Sequence, residues 1–390
     1  MLKRQKKQDK KEQQEKILDR IPVVPTRLAD LGINTTLLRE ILLKTMLRRN
    51  LDNVISLADS MRVGVPIMQE LLEITREYNQ IETLGASRHE EPKNLRYILT
   101  STGRQTALDA LSQSEYFGAV PVPLEDYKIQ TSKQSVRDAI VTRENLGTAM
   151  AHLIITDKMF NQLGPAVNSP RSVLMYGPPG NGKSSIADGI RNAYVDHIYV
   201  PEFIEYAGNV ISLFDPLIHE RINEEPQDTV SLRLKSDSHD PRYIKCHRPT
   251  VITGGELTLD MLDLNYNPVS KTYQAPLQMK ASGGVFIVDD LGRQKEPPQT
   301  LINRWIVPME EGFDILTLQS GQKFIVPFDT KVMFSTNFAP ASIFDTAALR
   351  RIYYKIYIGN PSQSDFLKIF VKVAERYPMD LDDDVLAHLL

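Results

Sequence analysis

The sequence predicts an α/β chain built on a three-layer, mostly parallel five-stranded sheet, and three observations carry that prediction. An apolar run, Val173 to Tyr176, leads into Gly177-Pro-Pro-Gly-Asn-Gly-Lys-Ser184, and a helix-compatible segment with Ile186, Ala187 and Ile190 follows. A second apolar run, from Gly283 to Val288, ends in two carboxylates, Asp289 and Asp290. Further β-like runs at 197–200, 331–336 and 354–358 alternate with helical segments, a pattern that calls for parallel strands with the ligand at their carboxyl ends.

The composition sets the frame. The chain has 390 residues, enough for two or three domains with cores of their own. A net charge of −3 gives no overall pull toward nucleic acid or an anionic membrane. Cys246 is the one cysteine, so intramolecular disulfides and thiolate clusters are excluded and a reducing, cytoplasmic setting is expected. Its neighbour His247 has no second ligand pair at metal spacing, so the Cys-His pair reads as structural. No apolar run reaches the ~20 residues of a membrane span, and the basic N-terminus lacks the apolar stretch of a signal peptide.

Residues 1–24 read as a basic, polar, solvated tail, with a weak nucleic-acid or lipid contact as the alternative. From 25 to 118 a small α+β domain is expected. Asn34, Thr35 and Thr36 offer caps to a helix carrying Leu37, Leu38, Ile41, Leu42 and Met46. A second helix covers 53–61, and a third starts at Pro66, a favoured first-turn residue. Two β-like pieces, 80–84 and 95–100, flank the charged turn 85–94, and a helix over 103–114 closes the unit. This order resembles a winged helix. Such domains bind DNA through the third helix or dock proteins. Here that helix carries Glu70, Glu73 and Glu77 against Arg76, which favours a protein partner over a phosphate backbone, with nucleic acid as the less favoured option. A proline-containing linker is expected at 119–130, then helices over 132–145 and 149–163 lead into the first core strand.

The loop carries the chemistry. Glycines 177, 180 and 182 let consecutive N–H groups turn inward toward phosphate oxygens, and the next helix offers its N-terminal dipole to the same anion. Pro178, Pro179, Asn181 and Ser185 complete the expected nucleotide-contacting stretch. Lys183 reaches β- and γ-phosphates, and the Ser184 hydroxyl ligates Mg²⁺. Asp289 holds the metal through its water shell, and Asp290 orients or deprotonates the attacking water. The expected ligands are therefore ATP and Mg²⁺. The run 331–336 brings Ser335, Thr336 and Asn337 to the same end of the sheet, where a polar residue meets the γ-phosphate or the water.

Taken in order, the phosphate loop, the Asp-Asp strand, the polar-tipped strand and Leu349-Arg350-Arg351 resemble the AAA+ ATPases over about 145–390. Within that span, Gly254-Gly-Glu-Leu-Thr-Leu-Asp260, Ala275-Pro-Leu-Gln278 and Gly284 to Gln294 are similar to a bacterial subgroup described as predicted ATPases with chaperone activity, associated with tight-adherence pilus assembly. The resemblance implies a homo-oligomeric ring, usually a hexamer, and a protein client or a secretion or pilus component as partner. It implies that Asn337 is a sensor, and that Arg351, with Arg350 as second candidate, completes the neighbouring subunit's site. The alternative is that both arginines make ion pairs within their own chain. Two departures stand out. Asp290 occupies the position usually held by glutamate, one methylene longer, which implies a differently held water and slow turnover. Residues 361–390 correspond to the start of a helical lid, with no lid arginine assigned. The core is expected at 131–360 with an insertion at about 222–282, whose Tyr243, Tyr266, Tyr273, Lys271 and Lys280 either line a central pore or pack the insertion down.

Overall fold

The structure, a computed structural model, describes residues 19–84, 95–222 and 239–375. Its centre is a five-stranded, all-parallel sheet. In sequence order the core strands are Val173–Tyr176, Thr250–Thr253, Gly284–Val288, Thr330–Thr336 and Tyr354–Tyr357. In space the fifth lies at one edge, followed by the first, fourth, third and second. The middle strands are buried along their whole length, so they read as continuous apolar runs instead of alternating ones. Alternation appears instead in which face each residue covers. Val285 and Ile287 join Met175, Ile186 and Ile190 in one core layer. Phe286 and Val288 join Leu301, Ile302 and Trp305 in the other. Trp305 is fully buried and meets Phe286 edge to face at 5.0 Å. The helices Lys183–Asn192 and Pro298–Glu311 thus cover opposite faces, giving three layers.

One expected core strand belongs elsewhere. His197–Pro201 pairs antiparallel with Tyr243–His247, apart from the parallel sheet, and the second core strand is Thr250–Thr253, inside the expected insertion. Both runs are short and β-branched, and propensity alone does not say which neighbour a strand pairs with. A β-rich lobe is assembled from three separate parts of the chain. Its sheet runs Asn265–Asn267, Thr272–Gln274, Asn209–Ser212, Phe203–Tyr206 and finally Val122–Pro123. The expected linker therefore supplies an edge strand, where a proline is tolerated, and then the helix Leu124–Lys133. The tyrosines of the lobe pack inward. Tyr243 and Tyr273 are buried, and Tyr266 lies 4.9 Å from the Tyr273 ring. Lys280 pairs with Asp215 and Lys271 reaches the Ser112 carbonyl, so these side chains serve the packing alternative.

The N-terminal lobe contains helices Thr35–Arg49, Val54–Met61 and Val65–Glu77, the hairpin Ile81–Leu84 with Arg96–Leu99, and the helix Ser101–Gln113. The caps are those the side chains suggest: Asn34, Asn53 and Thr100 each accept a first-turn amide. Gly103 is obligatory for close approach, because a Cβ there would sit 1.8 Å from the Gln80 carbonyl oxygen. The charged turn 85–94, residues 1–18 of the basic tail and 376–390 lie outside the described residues. Ahead of the core, helices fall at Arg143–Ala149 and Asp157–Asn168, later than the expected segments. The caps Thr142 and Thr156 set those starts, and the second helix runs through Pro165 instead of ending at it.

A buried clamp joins the lobes. The Arg242 guanidinium is held by both Asp240 carboxylate oxygens, at 2.8–3.2 Å, and donates to the carbonyls of Leu31 and Pro121. Both charged residues are almost fully buried. One side chain thus ties the N-terminal lobe, the 122–123 edge strand and the β-rich lobe together.

Candidate nucleotide site

The carboxyl ends of the first, third and fourth core strands converge on a cleft of about 430 Å³. Its walls are the phosphate loop (Pro179, Gly180, Gly182 to Ser185), Asp289, Asp290 and Arg293 from the third strand's exit, and Ser335 and Asn337 from the fourth.

The loop geometry follows from its glycines. Gly177 has φ +146°, and a Cβ there would lie 2.1 Å from the Ile358 carbonyl oxygen, so no other residue fits. Gly180 and Gly182 also have positive φ, and Gly182 starts the helix Lys183–Asn192 with no side-chain cap. Its first-turn amides are therefore free to meet an anion. The apex is anchored by Asn181, whose side chain donates to the Ile358 carbonyl and to the Asn360 side chain.

Lys183 is buried, and its ammonium donates to Gly177 O at 3.0 Å, Pro178 O at 2.9 Å and Asn337 Oδ1 at 2.7 Å. Burial lowers its pKa, while Asp289 and Asp290 nearby act in the opposite sense. Ser184 Oγ donates to Asp289 Oδ2 at 2.7 Å. Hydroxyl and carboxylate oxygens at this spacing are the hard-oxygen donor set that suits Mg²⁺, and the amide-lined loop beside them suits its phosphate co-ligands. These residues fit both groups.

Asp290 follows in the left-handed region, φ +48°, a conformation aspartate tolerates better than most residues. It accepts from Asn337 Nδ2 at 3.3 Å and faces Arg293 at 3.9 Å. Lys183, Asp290 and Asn337 thus form a connected polar chain across the cleft, with Asp289 beside it on the loop serine. Two neighbours had no role from sequence. Gln294 fixes the turn by donating to the carbonyls of Gly254, Asp289 and Asp290 and accepting from Gly292 N. Arg293 lines the cleft itself. The signals for them are their place just after the two aspartates and their position at the end of the Gly284 to Gln294 stretch.

Arg350 and Arg351 lie at the other end of the sheet. They line a small cavity of about 90 Å³ with Arg137, Arg171 and Glu310, near the first residues of the first and fourth strands. Arg351 pairs with Glu310 at 2.7 Å within its own chain. Cys246 is buried, and its thiol is pushed up to about 12 by desolvation, as befits a structural residue. Among the described residues no His, Cys, Asp and Glu cluster forms a metal site, and no helix is long and apolar enough to cross a membrane.

No family model and no curated protein matches the sequence. Among solved structures, NtrX from Brucella abortus is 14% identical with a TM-score of 0.34, over 73% of this chain and 58% of that one. NtrX in complex with ADP gives 14% and 0.35, over 73% and 55%. A model of the complex between the BchI and BchD subunits of magnesium chelatase gives 15% and 0.36, over 65% and 70%. The chain spans a little over half the length of the NtrX chains it matches. Likenesses at this level assign no chemistry to any residue.

Proposed function

We propose that this protein is an Mg²⁺-dependent ATPase of the AAA+ type. The single observation that carries the reading is the joining of a glycine-shaped phosphate loop to a strand-end carboxylate 105 positions away, through the 2.7 Å contact of Ser184 with Asp289. The loop amides and Lys183 bind the β- and γ-phosphates. Ser184, and Asp289 through water, would hold Mg²⁺, which neutralises charge on those phosphates. Asn337 positions a water and Asp290 accepts its proton while the water oxygen adds to the γ-phosphorus. The bond from that phosphorus to the β–γ bridging oxygen breaks, leaving ADP and inorganic phosphate. The shorter Asp290 reaches less far than a glutamate, so slow turnover is expected.

Further parts of the reading rest on the resemblance: a ring in which Arg351, or Arg350, serves the neighbouring subunit, and a protein client in pilus or secretion assembly. The position of both arginines at the sheet end away from the cleft suits action on another subunit. The third helix carries Glu70, Glu73 and Glu77 against Arg76, which pairs with Glu73, and this acidic balance supports protein docking over DNA there. The test is calorimetric titration of Mg-ATP with ATPase rates over a range of protein concentration, for the natural chain and Lys183→Ala. Nucleotide heat and a rate that rises with concentration, both lost in the variant, are expected. No heat with the natural chain would overturn the reading.

A further inference from the structure

Arg293 stands in the cleft without a role in the chemistry above. It follows the two strand-end aspartates and Gly292 in the turn that leads to Pro298–Glu311. The backbone there is fixed on every side. Arg293 N donates to Asp290 O, Gln294 grips three carbonyls of the turn and its surroundings, and Gly292 (φ +108°) lies where a Cβ would be 2.9 Å from the Phe338 ring. The side chain is different. It is 62% exposed and faces Asp290 across 3.9 Å, too far for a hydrogen bond. A rooted backbone with a loosely engaged guanidinium is an arrangement that can exchange partners.

Charge and donors favour such an exchange. The cleft's charged side chains are Lys183, Arg293, Asp289 and Asp290, which cancel. Lys183 reaches the phosphates by giving up contacts with Gly177 O, Pro178 O and Asn337, and its single charge does not balance a triphosphate. A triphosphate brings additional negative charge, and the guanidinium fork matches a phosphoryl group in a two-pronged contact. An exposed ion pair at this separation holds Arg293 weakly against that competitor.

We propose that Arg293 binds the γ-phosphate of the nucleotide held by its own subunit, leaving Asp290 when the triphosphate arrives and so freeing that carboxylate to take the proton of the attacking water. This inference rests on the ATPase reading. It makes Arg293 the residue that separates ATP from ADP.

The test compares binding of Mg-ADP and of the non-hydrolysable triphosphate analogue AMP-PNP with Mg²⁺, in the full chain, for the natural protein, Arg293→Ala and Arg293→Lys. Loss of a two-pronged charged contact should weaken analogue binding by ~10- to 100-fold in Arg293→Ala and leave ADP within about twofold, with Arg293→Lys in between. Asp290→Asn should tighten analogue binding in the natural background and do so less when Arg293 is already alanine, since the pair is then absent. Equal weakening of both nucleotides, or of neither, overturns the proposal while the ATPase reading stands. Failure of the natural chain to bind either nucleotide overturns both.

Discussion

Lys331 ties the stability of the fold to pH. It is the second residue of the fourth core strand, 3% exposed, and its ammonium donates to the backbone carbonyls of Ala166, Ser169 and Arg171. Those carbonyls close the helix Asp157–Asn168 and precede the strand that feeds the phosphate loop, so one cation fastens the approach to the cleft. Desolvation pushes its pKa down to about 7 from the ordinary 10.5. The sign is then fixed. Below pH 7 the lysine is charged in both states and the full burial cost is present. Between pH 7 and 10.5 the unfolded chain binds the extra proton, so stability rises with pH. At ~1.4 kcal/mol per pH unit the gain between pH 7 and 9 approaches about 2–3 kcal/mol. Cys246, whose thiol is held up to about 12 in the fold, acts oppositely above pH ~9 and closes the useful window. Urea denaturation at pH 7, 8 and 9 measures the slope, and Lys331→Met should flatten it, because the group that takes up the extra proton in the unfolded chain is gone. Parallel profiles for the two proteins would refute the reasoning, since the carbonyls would then be holding the charge at no net cost.

Three other outcomes follow from the same geometry. Gly177→Ala puts a methyl group against the Ile358 carbonyl and should abolish nucleotide binding with a loss of at least about 2 kcal/mol in denaturant unfolding, whereas Gly147→Ala, in open space, should change little. Asp240→Ala leaves Arg242 buried without its carboxylate and should cost about 3–5 kcal/mol, read from the shift in urea midpoint. Asp289→Asn should remove the magnesium dependence of ATP binding and leave binding of the metal-free nucleotide within a few-fold, measured by titration with and without EDTA.

The parts of the fold that obey local rules were legible in advance. The phosphate loop needs glycine at particular torsions, helix caps need a short polar side chain, and the two buried middle strands are unbroken apolar runs, so each announces itself within a few residues. The choice of second core strand did not, because 197–201 and 250–253 have equal claim to strand structure and only long-range pairing separates them. The strand at 122–123 was hidden by its prolines, which read as a stiff connector until an edge position is available. Within the cleft, Lys183, Ser184, Asp289, Asp290 and Asn337 were found by spacing and do converge. Gln294 and Arg293 were missed because their contribution depends on how a turn folds back, and no spacing rule encodes that.

The contact of Asn181 with Ile358 and Asn360 has a mechanical meaning. The apex of the anion-binding turn and the stem from which the final helix, Gln363–Ala374, departs are held by the same amide group, and Ile358 O also abuts Gly177. One side chain therefore sets both the apex of that turn and the point from which the helix leaves, so Asn181 cannot be changed without touching both.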